Sequence, residues 1–232
     1  GNFGNILAAY YARQCGVPLG RLICASNINN VLYDFINSGT YDRNRQLKLT
    51  SSPSMDILVS SNLERLLYHI SGEDAVMVTR LMENLANEGR YSISPKMKDS
   101  LADFYPGFAT EAETREAIAS AYQELGYLID THTAVGFSVC RQYVQEGNSG
   151  INIIVSTASP FKFPAEVLTA IGAPAGCTDE LQLIDRLAEV TGVTVPQNLR
   201  NLAQLPVRHT AVCSQAGIRQ QIKSILGIEA LQ

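Results

Sequence analysis

The chain opens on Gly1-Asn2-Phe3-Gly4-Asn5, directly ahead of a helical pattern. Glycines at that spacing let the backbone approach a ligand closely. Free N–H groups at a helix start, with the helix dipole behind them, suit an anion such as phosphate. An ordinary glycine turn before a helix has the same spacing, so spacing alone leaves both readings open. Ser26-Asn27 stands at the end of the apolar run RLICAS, and Ser156-Thr157 at the end of INIIVS. Open parallel sheets hold ligands beyond the carboxyl ends of their strands, where such hydroxyls and amides could grip a ring or carboxylate. Each pair alone serves equally well as a helix cap. The three endings together favour one shared, phosphate-handling cleft. His69, His132 and His209 lack metal-ligand spacing, so no metal site is expected and no catalytic base or nucleophile is named. Lys162 lies near Thr157 and reads as a loop residue.

The elements that must position these groups follow from periodicity. Residues 4–15 read as a helix with Ile6, Leu7, Tyr10 and Tyr11 on one side, stopped by Gly16. Residues 21–26 read as a short buried strand, and 30–38 as a helix ending at Gly39. Residues 41–55 read as loop. Ser61 and Glu64 have capping-box spacing, with Leu63, Leu66, Leu67 and Ile70 forming one helix face. Further helices are expected over 73–88, 111–125, 133–145, 164–171, 179–191 and 215–226, while 91–107 shows no period. The β-branched run 151–156 reads as the best strand in the chain. Helices that outweigh short, solidly apolar strands predict an α/β fold. This would be a three-layer αβα arrangement with a mostly parallel sheet and helices on both faces.

Composition sets outer bounds. Of 232 residues, 46% are hydrophobic and 17% charged, as in a globular protein with a large interior. The net charge is −4 without a basic block, which argues against a nucleic-acid partner or an anionic membrane surface. No apolar run approaches the roughly 20 residues that span a bilayer. Five scattered cysteines without a CxxC pair read as reduced thiols in a cytoplasmic protein. The absence of an initiator Met, and of a strand before GNFGN, leads us to expect a fragment.

Longer matches carry more than the patterns do. GNFGNILAAYYA (residues 1–12), LICASNINNVL (22–32), PSMDILVSSNLERLL (53–67), HTAVG (132–136) and STASPFKFP (156–164) strongly resemble threonine synthase, in the family's order. PSMDILVSSNLERLL is the most specific of them, and the tail is less distinctive. The resemblance implies fold type II of the pyridoxal-phosphate enzymes. It also implies conversion of O-phosphohomoserine and water to L-threonine and inorganic phosphate, in threonine biosynthesis.

On this resemblance residues 1–232 are the C-terminal part of the cofactor-binding catalytic domain, with a helical insertion at roughly 60–130. The family's GN-x-GN loop, which cradles the cofactor phosphate, falls on Gly1, Asn2, Phe3, Gly4 and Asn5. The threonine that meets the pyridine nitrogen falls on Thr157, where a neutral hydroxyl leaves that nitrogen largely unprotonated. Asn5, Ser60, Asn62 and Arg65 are candidates for the substrate phosphate, Arg65 through a bidentate grip. Ser61 to Glu64 also reads as a plain cap, and Arg65 as an exposed helix residue. Ser159 stands where many relatives have another residue, often His, and Phe161 replaces a smaller one. The family's Schiff-base lysine is expected upstream, so the chain alone should be inactive and self-associate through exposed sheet edge and core. The alternatives are another type II lyase, such as a threonine dehydratase, and a non-catalytic standalone domain.

Overall fold

The run RLICAS forms strand β1 (Leu22–Ser26), as its apolar composition demands, and helix α1 (Gly4–Gln14) precedes it. Our computed structural model describes residues 1–173 and 176–228. In chain order there follow α2 (Val31–Ser38), β2 (Thr40–Asp42), α3 (Leu63–Ile70), α4 (Ala75–Glu88), β3 (Arg90–Ser92), α5 (Pro95–Asp99), β4 (Phe104–Phe108), α6 (Glu111–Leu125), α7 (Thr131–Gln145), α8 (Pro164–Ala170) and α9 (Glu180–Thr191). β1 pairs with β4 in parallel, Leu22 opposite Phe104 and Ser26 opposite Phe108. β2 and β3 form a separate antiparallel ribbon with Tyr41 opposite Tyr91.

Alternation along β4 assigns the layers, because successive side chains point to opposite sheet faces. Phe104 meets Phe3 and Tyr10 of the α1 segment at 5.9 and 6.3 Å between rings, and Phe108 meets Tyr33 of α2 at 5.1 Å. On the other face Tyr105 packs edge-on against Tyr143 of α7 at 4.8 Å, and Gly107 backs onto Val139 of the same helix. Helices therefore cover both faces, and the fold is α/β with a parallel pair at its centre. The core continues through Phe35, Leu66, Leu67 and the stacked Tyr41–Tyr91 pair beneath the ribbon. Burial pushes the Cys24 thiol up to about 11, so it behaves as a small apolar side chain. All five cysteines are free thiols.

Three expectations need correction. Residues 91–107, which show no period, hold α5 and most of β3 and β4. β4 escapes notice because its sequence is FYPGF; Pro106 and Gly107 are poor strand formers, and proline is tolerated at a sheet edge. The run 151–156 is not a strand. Ile154 lies against Gly136 of α7, but no described residue pairs with its backbone, and Ile151, Ile153 and Val155 are exposed. High β-propensity does not make a strand without a neighbour to receive its hydrogen bonds. Finally, the N-cap of α3 is Asn62, without a side-chain cap, in place of Ser61. The capping box of this chain lies at Thr110 and Glu113, opening α6.

Residues 60–130 hold α3 to α6 together with β3 and β4. Residues 196–232 form a second compact unit, in which 3-10 turns at Leu202–Gln204 and Gln215–Gly217 lead into α10 (Ile218–Ile225). Among the described residues no helix is long and apolar enough to cross a membrane, and no cluster of His, Cys, Asp and Glu could hold a metal ion.

Candidate phosphate-binding site

Phe3 is the N-cap of α1 and sits at φ 61°, a left-handed conformation that a bulky residue seldom adopts. Its ring is buried against Phe104, and this anchorage holds the strained turn. The consequence is electrostatic. Leu7 N–H is the first to bond back, to Phe3 O at 3.1 Å. The N–H groups of Gly4, Asn5 and Ile6 therefore have no acceptor among the described residues, and they stand at the positive end of an eleven-residue helix. Gly4 and Asn5 are exposed, so a ligand can reach them. A Cβ built on Gly4 would lie 3.5 Å from Asn62 Nδ2 of the facing segment.

The facing wall is the strap 48–62, which is irregular yet fastened along its length. Asn29 Nδ2 donates to Lys48 O and its Oδ1 accepts from Lys48 N, at 2.8 and 2.9 Å. Asp56 Oδ1 accepts from Asn27, Asn29 and Thr50, and Asp56 Oδ2 accepts from Thr50 N–H. Ser51 N–H donates to Glu111 at the start of α6, at 3.0 Å. Ser54 N–H donates to His132 Nε2 of α7, at 3.1 Å. Tyr41 donates to Leu58 O and accepts from Ser60 N–H; burial pushes its phenol above the ordinary value and so keeps the proton that the first bond needs. The strap then meets the opening motif. Ser61 N–H and hydroxyl both donate to Asn2 Oδ1, at 2.9 and 3.1 Å, and Asn62 Nδ2 donates to Asn2 O at 2.8 Å. Gly1 N donates to Ala25 O at the end of β1, and Met55 Cγ lies 3.3 Å from where a Cβ on Gly1 would sit.

Of the residues singled out in the sequence, the structure thus brings together Gly1, Asn2, Phe3, Gly4, Asn5 and Asn62, with Ser60 adjoining. The Ser60 hydroxyl is buried without a hydrogen-bond partner, an arrangement that costs about 1–3 kcal/mol unless something binds it. Asn27 does not cap α2, whose N-cap is Asn30; it is buried and ties the end of β1 to the strap through Thr50 and Ser52. Arg65 is exposed in the first turn of α3, and its guanidinium makes no ion pair among the described residues. Thr157 is exposed, and no hydrogen bond joins it to residues 1–5. Its neighbour Ser156 places Oγ 3.2 Å from Thr133 Oγ1 of α7; the Thr133 proton goes to Asp130, so the Ser156 hydroxyl is the donor of this pair. Lys162 is exposed, its ammonium 5.9 Å from the ring of Phe163.

Sequence reasoning missed Asp130 and His132. Asp130 caps α7 and is fully buried. Burial alone would raise its carboxyl, but hydrogen bonds from His132 and Thr133 outweigh that and hold it below the ordinary carboxylate value. The signal available was a cap, since Asp130 stands just before a helical pattern.

A phosphate group fits the three open N–H groups at the exposed start of α1. Comparison with known proteins bears on the family of the chain. Residues 133–222 match the family model "Threonine synthase, C-terminal". "Threonine synthase-like 1" of Homo sapiens is 44% identical over 173 residues, 74% of this chain and 23% of the relative. Threonine synthase of Pseudomonas aeruginosa is 35% identical over 212 residues, covering 90% and 44%. The crystal structure of PLP-bound threonine synthase from Brucella melitensis superposes with a TM-score of 0.70 at 40% identity, covering 80% of this chain and 40% of that one. The chain spans less than half the length of these relatives. In sequence and in fold alike, it belongs to the threonine synthase family.

Proposed function

We propose that this chain forms the C-terminal part of a cytoplasmic, pyridoxal-phosphate-dependent threonine synthase acting on O-phosphohomoserine in threonine biosynthesis. The observation that carries the reading is the open N-terminus of α1, where Gly4, Asn5 and Ile6 offer N–H groups in front of a helix dipole. In this reading residues Gly1 to Asn5 hold the cofactor phosphate, and the bonds from Ser61 and Asn62 to Asn2 fix the loop that offers it. The bound cofactor supplies the electron sink for the substrate's carbon skeleton, as such cofactors do. Thr157 offers a neutral hydroxyl to the ring nitrogen.

The substrate phosphate falls to Asn5, Ser60, Asn62 and Arg65. The Arg65 guanidinium is free to grip it bidentately. The unpartnered Ser60 hydroxyl gains the acceptor it lacks. Two phosphate groups held on one wall would fix the distance between cofactor and substrate, which is how positioning lowers a barrier. The test is made with the protein at its natural length, supplied with O-phosphohomoserine and pyridoxal phosphate. Inorganic phosphate and threonine are expected in equal amounts, and Arg65→Ala is expected to raise KM more than it lowers kcat. Phosphate release without threonine would contradict the assignment.

A further inference from the structure

We propose that the capped first turn of α7 is a positioning device that fixes both ends of the cofactor site: His132 sets the phosphate end and Thr133 the ring end. The proposal rests on the phosphate reading above. Asp130 is the common anchor. Its carboxylate accepts from His132 N–H at 2.8 Å, from the His132 ring at 3.1 Å, and from the Thr133 N–H and hydroxyl.

The donors and acceptors fix the histidine tautomer without reference to any hydrogen position. Asp130 is an acceptor only, so His132 Nδ1 carries the proton. Ser54 N–H can only donate, so Nε2 must be bare to accept it at 3.1 Å. One neutral tautomer satisfies both, and the Phe163 ring at 4.8 Å packs against it. Ser54 sits in the 3-10 turn Pro53–Met55, and its neighbour Met55 lies against Gly1 of the phosphate loop. The path from Asp130 through His132 and Ser54 thus ends on the wall beside Gly1. A second path leaves the same carboxylate. Thr133 Oγ1 is bonded to Asp130 Oδ2, and it reaches Ser156 Oγ, the residue before Thr157. A helix cap needs only the carboxylate. A histidine that reaches 78 residues along the chain to one backbone N–H does more than cap.

The two arms are separable. His132→Phe keeps a ring in the site but removes the acceptor; His132→Gln restores an acceptor amide. Thr133→Val removes the hydroxyl, and Thr133→Ser restores it. The measurements are amide hydrogen exchange at Ser54 and Met55, amide chemical shifts at Ser156 and Thr157, and affinity for inorganic phosphate. His132→Phe should speed exchange at 54–55 and weaken phosphate binding about fivefold, the worth of one hydrogen bond, with 156–157 unchanged. His132→Gln should recover most of both. Thr133→Val should shift the amide signals of 156–157 and leave phosphate affinity within about twofold. If all four sites respond to either substitution alike, and the conservative variants rescue nothing, the pair is merely structural and the proposal falls. Absence of phosphate binding by the unaltered protein would defeat the phosphate reading, while exchange at Ser54 would still judge the clamp. Where a variant fails to fold, the ring 15N shifts of the unaltered protein decide: a protonated Nε2 overturns the proposal.

Discussion

Replacing Gly107 by alanine tests the layer that holds the site together. Gly107 lies on the face of β4 that α7 covers, and a Cβ there would sit 2.4 Å from Val139 Cγ1, 3.3 Å from Val139 Cγ2 and 3.4 Å from Gln142 Oε1. The first approach is about 1 Å short of ordinary carbon contact. Val139 is fully buried and β-branched, so it has no free rotamer to retreat into. The strand or the helix must move, and overpacking of this kind costs about 1–3 kcal/mol. We expect about 2 kcal/mol from urea unfolding, seen as a lower midpoint with an unchanged slope. Val139→Ala alone should cost about 2 kcal/mol through the cavity it opens. In the double variant the new methyl occupies space that Val139 Cγ1 vacates. The two losses should therefore fall short of additivity by about 1–2 kcal/mol. A Gly107→Ala effect within about 0.5 kcal/mol, or strict additivity, would refute the close packing of β4 on α7.

Three further outcomes are expected. Asp130→Ala removes an N-cap and leaves buried donors on His132 and Thr133 unpaired, so it should cost about 3–5 kcal/mol in the same unfolding assay. The Asp130 carboxyl titrates below its ordinary value, so its contribution is present above about pH 4 and is lost as pH falls through the folded-state value. The stability gap to Asp130→Asn should accordingly shrink in acid, and a gap that widened there would contradict the bonding described. Pyridoxal phosphate followed by borohydride should label no single lysine of this chain, and stoichiometric labelling of the exposed Lys162 would overturn that. Exposed Ile151, Ile153 and Val155 should drive concentration-dependent association in sedimentation, which a monodisperse monomer at high concentration would exclude.

What was legible in the sequence was whatever local chemistry decides. RLICAS became β1, and the leucine stripe 63–70 became α3. What was hidden depended on residues distant in the chain. INIIVS has the propensity of a strand but no described neighbour to pair with, whereas FYPGF lacks the propensity and is a strand because β1 lies beside it. Ser61 has cap spacing, yet its hydroxyl goes to Asn2, 59 residues away. The turn that opens α1 was readable from its glycines; the strap that faces it was not, because its ties run to Asn27, Glu111 and His132. Asp130 could have been read as a helix cap, but nothing local announces that its histidine reaches Ser54.

The central claim is that the first turn of α1 is a phosphate cradle. Titrating inorganic phosphate into the 15N-labelled chain and following its amides tests this most directly. The account predicts saturable shifts at Gly4, Asn5 and Ile6, with smaller ones at Ser60 to Asn62, all weakening as salt is raised. Unmoved amides at residues 4–6, or shifts centred on another part of the chain, would contradict it.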